Sequence, residues 1–410
     1  MPAPPPVSFL VSRFPNPSET FIQAQVEGLL ERGGWVEVVA LAAGDAEALG
    51  ALRLKWGDKL KVSYVPVPKS FGQRLIAAPG ALGVKNALKT LDAGAFGDDA
   101  SSLRLLLAAH RWPKDKPQKR VWLAHYGRWG RFACALRKLG LIDGAIATVF
   151  HGKDMSAYLK KHPQAYRTLF RQGDLFLPIS ETWRAKLIAL GAPEGRTLVH
   201  RMGVDTTRFS EKARVLPPGE PVRFIGVGRM VEKKGFDDAL RAFADYRANA
   251  GAPPATLTLI GDGERRDYLE NLATSFGFGA SVRFAGLLPH AEVKRELEAA
   301  HVFVLPSKTA ASGDMEGIPV ALMEAMAQGM PVLATRHSGT PELVQHDVSG
   351  LLCEEGDWRA LARNMAALAR APERWPALGA AGAAKVRAEF DLKLWNDRLA
   401  QRMGLLYRPA

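Results

Sequence analysis

Cysteine is scarce: Cys134 and Cys353 are the two that 410 residues contain. Two thiols cannot build a disulfide framework, and neither sits in metal-ligand spacing, so a reducing compartment is expected. No window approaches the ~18 apolar residues that a membrane-spanning helix needs. The start, Met1-Pro2-Ala3-Pro4-Pro5-Pro6, has neither the basic nor the long apolar segment of a secretory signal. A cytoplasmic protein is therefore expected. Several chemical signatures are also missing. No DxD pair is present to hold a metal–diphosphate, since Asp237 and Asp238 are adjacent. There is no P-loop, no HExxH and no GxSxG elbow. RNP, zinc and helix-turn-helix signatures are absent too, and the basic residues are scattered, which argues against nucleic acid as a partner.

Negative charge is thin in one half. Residues 1–200 hold 28 Lys/Arg against 16 Asp/Glu, whereas residues 201–410 hold 27 against 26. The basic half points to an anionic partner: a membrane rich in anionic lipid, a phosphate-bearing acceptor or nucleic acid. The plain alternative is a solvated basic face.

What is present reads as α/β. Short β-prone runs at Val7–Ser12, Trp35–Leu41, Lys61–Pro66, Val121–His125, Ala145–Phe150 and Leu175–Pro178 alternate with helical patterns. Between Gly72 and Gly97 the pattern weakens and is helical only. Linker chemistry fills residues 203–221, and the rhythm restarts at Arg223–Val227, Leu257–Ile260, Val282–Ala285, Val302–Leu305 and Pro331–Ala334. The end reads as helix with no further strand. This gives two Rossmann-like units, 1–202 and 203–385, with a cleft between them and a helical segment at 386–410.

Residues with chemical meaning cluster at strand ends. After Val302–Leu305 comes a flexible loop with Ser312, Gly313 and Asp314. Glu316-Gly317-Ile318-Pro319-Val320 then enters a helix, with Pro319 suited to its first turn. Glu324 follows eight residues after Glu316. A helix N-terminus offers free N–H groups to a diphosphate or to sugar hydroxyls, and a carboxylate at each end can take hydroxyls on either side. The alternative is a capped surface helix. The segment GVGRMVEKKG, Gly226–Gly235, leaves a strand and presents Gly228, Arg229 and Lys234. Its cations can neutralise a departing diphosphate, with Lys233 expected to face solvent.

In the first half, His125 and His151 each close a strand, with Lys153 and Asp154 just after His151. The histidines suit contact with a sugar hydroxyl or an acceptor phosphate, or a satisfied structural hydrogen bond. Ser18, Glu19 and Thr20 open a helix and suit an anion or hydroxyl site, or ordinary capping.

Taken together, GVGRMVEKKG, LIGDGE, VRFAGLLPH, LPS, EGIPVALMEAMAQGMPV and HSGTPELV resemble glycosyltransferase family 4, the retaining enzymes of the GT-B fold. The N-terminal FPNPSETFI is similar to the subset that builds exopolysaccharides such as colanic acid or amylovoran. There, Phe14–Thr20 replaces the glycine-rich first loop common elsewhere in the family. The resemblance implies two Rossmann-like domains across a cleft, with a C-terminal helix crossing back to the first. It implies a nucleotide diphosphate sugar as donor, UDP- or GDP-linked, with no cofactor and no metal. Glu316 and Glu324 would be the E-x7-E pair, and Arg229 and Lys234 the diphosphate cations. Leu287, in Gly286–Pro289, would lie where the base is read, and His151 would face the transferred sugar. The acceptor side would involve Ser18, Glu19, Thr20, His125, Lys153 and Asp154, with a lipid-diphosphate-linked saccharide as acceptor and reversible membrane association. Rival readings are an epimerase or phosphorylase-like enzyme, an inactive sugar-nucleotide-binding relative, and a basic nucleic-acid-binding protein.

Overall fold

The computed structural model of the chain describes residues 4–83, 87–113 and 118–407; Met1–Ala3 of the proline-rich start lie outside them. Twelve strands form among these residues: β1 (Val7–Val11), β2 (Val36–Ala40), β3 (Leu60–Tyr64), β4 (Lys119–His125), β5 (Asp143–Phe150), β6 (Leu175–Pro178), β7 (Val222–Val227), β8 (Ala255–Ile260), β9 (Val282–Gly286), β10 (Val302–Leu305), β11 (Val332–Thr335) and β12 (Leu351–Cys353). They make two parallel sheets, ordered β3-β2-β1-β4-β5-β6 and β12-β11-β10-β7-β8-β9. Numbered from its own first strand, each sheet follows the same 3-2-1-4-5-6 order.

The apolar runs explain why. All five residues of VSFLV in β1 are buried, as are the four of VFVL in β10. Strands apolar on both faces must be covered on both, and helices packed on parallel sheets do that. The strand order reverses between β1 and β4 and between β7 and β10, where the register runs Phe9↔Leu123 and Phe303↔Ile225. A crevice opens beyond the carboxyl ends of the strands at each such reversal.

The chain crosses between the two units twice, at one place. Val204 donates its N–H to the Phe390 carbonyl and accepts from Leu392 N–H, both at 2.9 Å. Gly203 has no room for a Cβ, which would sit 2.5 Å from Leu392 Cα. After the second crossing the helix Leu392–Leu406 lies on the helix Thr20–Glu31 of the first unit. Arg32 pairs with Asp397 at 2.7 Å, Asn396 Nδ2 donates to the Ala24 carbonyl, and Arg402 donates to Val199.

Expected and observed strands agree within two residues at most ends, apart from β12. Three residues, Leu351–Cys353, are too few to show a periodicity, so β12 was not expected. The weak stretch after Gly72 folds as short helices, Phe71–Ala77, Ala87–Thr90 and Ala93–Phe96. They rest on a satellite core of Ala78, Ala81, Ala87, Leu106 and Leu107.

Asp391 ties the crossing together: it caps the last helix by accepting from Leu394 N–H at 3.1 Å, and it accepts from Thr206 Oγ1 at 2.5 Å. Loss of a helix cap of this kind costs about 1–2 kcal/mol. Asp391→Ala is therefore expected to lower the urea midpoint of unfolding accordingly, and an unchanged midpoint would show that this side chain does not secure the crossing.

Candidate active site

The second unit supplies a wall built on charge. β7 ends into Gly228 and Arg229, and a short turn presents Lys233 and Lys234 before Gly235. Gly235 has φ 67°, and a Cβ there would collide with the Pro306 carbonyl, so this turn lies against the end of β10. Lys233 and Lys234 both reach Glu316, at 3.4 and 3.3 Å, and Lys233 also holds Asp314 at 3.2 Å. Burial alone would raise the Glu316 carboxyl, but Lys234 and then Lys233 hold it down at about 2. Lys233 is buried, which corrects the expectation of a solvent-facing charge. Paired with two carboxylates, it can leave water without a large penalty. Arg229 remains exposed, and its side chain has no hydrogen-bond or ion-pair partner among the described residues.

The loop between β10 and the helix Val320–Ala327, expected as flexible, is fastened along its length. Lys308 Nζ pairs with Asp237 and Asp238 at 2.9 and 2.8 Å. Thr309 N–H donates to Glu355 and Ala311 N–H to Glu232. Glu316 N–H donates to Nε2 of His337 at 2.9 Å, and His337 Nδ1 lies 2.6 Å from Glu355 Oε1. A backbone N–H can only donate, so Nε2 accepts and Nδ1 carries the proton toward Glu355. The helix starts at Val320, with Pro319 as its cap residue rather than in its first turn. Glu324 lies partly enclosed two turns from Glu316, and burial pushes its carboxyl up to about 7 against the pull of Arg208. Leu287 follows β9 with its side chain largely exposed.

Facing this wall are the ends of β4 and β5. His125 is fully buried, and its Nδ1 lies 3.1 Å from His151 Nε2. Burial takes His151 down to about 3, so the ring is neutral at physiological pH. Phe21 and Tyr126 pack on His151, with ring centroids at 4.7 and 4.6 Å. Asp154 is buried as well; its oxygens accept from His151 N–H at 2.7 Å and Gly127 N–H at 2.8 Å. These placements of His125 and Asp154 are those of supports beneath the wall, in place of the acceptor contacts expected. Glu19 accepts from Tyr126 Oη at 2.7 Å and from Asn16 Nδ2 at 2.9 Å. Ser18 Oγ donates to Asn16 at 3.0 Å, while Thr20 and Lys153 are exposed.

The two walls touch. Met315 N–H donates to Ser156 Oγ at 3.1 Å. A Cβ on Gly152 would stand 2.5 Å from the Met315 carbonyl and 3.0 Å from Gly317 N. Glu342 accepts from the backbone of Glu181 and Thr182 and pairs with Arg201 at 3.0 Å. His151 and Glu316 are thus brought to facing edges of one cleft.

Residues 207–384 match the family described as Glycosyl transferases group 1. The chain is 40% identical to WcaL of Escherichia coli K12, named for colanic acid biosynthesis as a glycosyltransferase, over 98% of this chain and 100% of that one. It is 37% identical to the amylovoran biosynthesis glycosyltransferase AmsK of Erwinia amylovora, over 96% and 98%. The chain belongs to the group 1 glycosyl transferases. Among solved structures, Anabaena HepE in complex with UDP superposes with a TM-score of 0.70 at 19% identity, over 98% of this glycosyltransferase and 100% of HepE. Sucrose-phosphate synthase from Thermosynechococcus elongatus gives 0.69, also at 19% identity, over 98% of each chain. The two sheets and the returning helix are thus the GT-B fold.

Sequence reasoning missed three groups of this glycosyltransferase. Lys233 was read from its exposed-looking neighbourhood. His337 stood in HSGTPELV with no role attached, although a histidine just past a strand end was a usable signal. Glu355 gave no signal at all. Gly152 marks where the lobes meet, and Gly152→Ala is expected to hold the cleft apart. Transfer should fall by about tenfold or more while nucleotide binding persists, since small misplacement of the reacting groups is costly. Unchanged turnover would mean that the lobes need not approach this closely.

Proposed function

We propose that this glycosyltransferase moves a hexose from a UDP- or GDP-sugar to a lipid-diphosphate-linked saccharide in exopolysaccharide assembly, with retention and without a metal. The observation that carries the reading is the ionised Glu316 fixed between two lysines opposite a neutral His151. The relatives named for colanic acid and amylovoran synthesis support the pathway class. The work divides as follows. Lys234 and Lys233 together keep Glu316 ionised, so that its carboxylate accepts from hydroxyls of the hexose. Lys234 and the free Arg229 meet the diphosphate together with the N–H groups of Gly317, Ile318 and Val320. Glu324 accepts from the ribose diol. His151 offers a neutral ring to the sugar from the other lobe, and Ser18, Thr20 and Lys153 are placed for the acceptor.

In retaining transfer the acceptor hydroxyl attacks the anomeric carbon on the face the diphosphate leaves, and a phosphate oxygen takes its proton. The charge that grows on the leaving group needs fixed positive ends, and a donor of this kind is worth about 3 kcal/mol. Asp314 and Glu316 already face Lys233 and Lys234, so cations of the chain itself, rather than a metal held by these carboxylates, are the counter-charge. Closure excludes water, which would otherwise hydrolyse the donor. The enzyme would work on the cytoplasmic side, bound reversibly to an anionic membrane by its basic half.

Lys234→Ala is expected to reduce turnover by about a hundredfold or more, in a chelator-insensitive assay with UDP-glucose and GDP-mannose; restoration by added divalent metal would overturn the metal-free mechanism. Glu324 provides a separate test through protons. Its carboxyl is about 7 when free, and a ribose diol donates to the ionised form. Binding must therefore expel a proton at neutral pH, and affinity should rise from pH 6 to pH 8 and then level. Calorimetry in buffers of different ionisation heat reads that proton directly. Glu324→Gln should abolish both the proton release and most of the affinity; an unaltered titration curve would remove Glu324 from the nucleotide site.

A further inference from the structure

The positive excess of the first half comes from a single region. Residues 51–150 hold 18 Lys/Arg against 6 Asp/Glu. Within it the helix Arg104–Arg111 packs on the helix Gly127–Lys138, which begins directly after the cleft residue Tyr126. Four guanidinium groups gather where these helices meet, and their partners are unequal. Arg131 holds the buried Asp99 at 3.1 Å. Arg74 is buried, and its nitrogens donate to the backbone carbonyls of Pro68, Lys69 and Ser102. Arg104 has a single long contact, 3.4 Å to Ser102 Oγ. Arg128 lies over the Trp129 ring at 5.0 Å and has no carboxylate or hydrogen-bond partner among the described residues.

Arg104 and Arg128 are both half-buried, so neither is an ordinary solvated surface charge. Burial, then Arg128, then Arg74 bring Arg104 down to about 10, which places these groups in one neighbourhood. Two carboxylates act on them, Asp98 and Asp99, and Asp99 is already taken by Arg131, so four guanidinium groups face two carboxylates. Half-buried like charges in excess of their counter-ions are costly, and an anion supplied from outside relieves that cost. Guanidinium forks fit phosphate oxygens in particular.

The far side of the cluster is apolar. Arg74 lies 5.9 Å from the Phe71 ring centre. Phe71, Leu75 and Ile76, on the helix Phe71–Ala77, and Leu82, just beyond it, are 51%, 57%, 83% and 51% exposed beside the satellite core. Lys69 and Lys89 stand exposed on the same stretch. Apolar side chains thus stand beside the arginine cluster, and Arg128 follows Tyr126, at the cleft, by two residues. That order matches a molecule with a hydrocarbon chain, a diphosphate and a sugar.

Building on the transfer reading above, we propose that Arg104 and Arg128 bind the diphosphate of the lipid-linked acceptor, while Phe71, Leu75, Ile76 and Leu82 take its chain at the surface of an anionic bilayer. The diphosphate is thereby fixed at the rim, and the saccharide is directed toward His151.

Farnesyl diphosphate tests this by calorimetry, with UDP and GDP present to fill the nucleotide site. Arg104→Gln/Arg128→Gln should weaken its binding by about tenfold or more, the loss expected for charge-assisted hydrogen bonds. Phe71→Ser/Leu75→Ser/Ile76→Ser should weaken farnesyl diphosphate while leaving inorganic pyrophosphate unchanged. Equal affinity for the two ligands, or binding indifferent to the arginine pair, overturns the proposal. Nucleotide titration of the same variants reports an intact fold and separates the two readings: a wild-type protein that binds farnesyl diphosphate but no nucleotide contradicts the donor site alone. If the double variant does not fold, Arg104→Lys and Arg128→Lys keep the charge and lose the fork, and each should still weaken binding measurably.

Discussion

A carboxylate taken out of water must be given back what water supplied, and Glu316 obtains it from Lys233 and Lys234. The rest of the cleft wall follows from meeting that requirement. Both lysines come from one turn, so the turn must lie against the loop that carries Glu316, and Gly235 permits the approach. That loop must then be stationary, which explains the ion pairs of Lys308 and the backbone hydrogen bonds accepted by Glu232, Glu355 and His337. A loop held so firmly is a poor place for induced fit.

The opposite wall uses different physics. His125, His151 and Asp154 sit in a region where burial opposes charge, so the histidines stay neutral and polar contacts are directional rather than coulombic. One lobe therefore offers fixed charge and the other fixed hydrogen-bond geometry. This division suits a reaction in which one lobe holds a departing anion while the other orients neutral hydroxyl groups.

Much of the architecture was legible because buried parallel strands write themselves as short apolar runs. Eleven strands could be read so, whereas three-residue β12 could not. The candidate site could be sketched from the sequence where its chemistry is local: Glu316, Lys234 and Glu324 lie within single motifs. It was not legible where partners come from distant segments. Lys233 looks solvated until Asp314 arrives from 81 residues away in the chain, and Glu355 acquires meaning only through His337. His125 and Asp154 stand at strand ends, as ligands do, and only burial reveals that they carry other residues. The short helices after Gly72 read poorly because their apolar residues serve the surface as well as a core.

The paired crossing at Val204 and Leu392 has a consequence for how such proteins can be recombined. Because the chain leaves the first lobe and later returns to it, a lobe here is not a contiguous stretch of sequence. A chimaera made with a single junction near residue 204 would mate a foreign returning helix to the native helix Thr20–Glu31. The Arg32–Asp397 pair and the Asn396 contact would then be left to chance. Exchange of the second lobe needs two joints, one at each crossing. A functional exchange must either cut twice or keep the surface of the last helix.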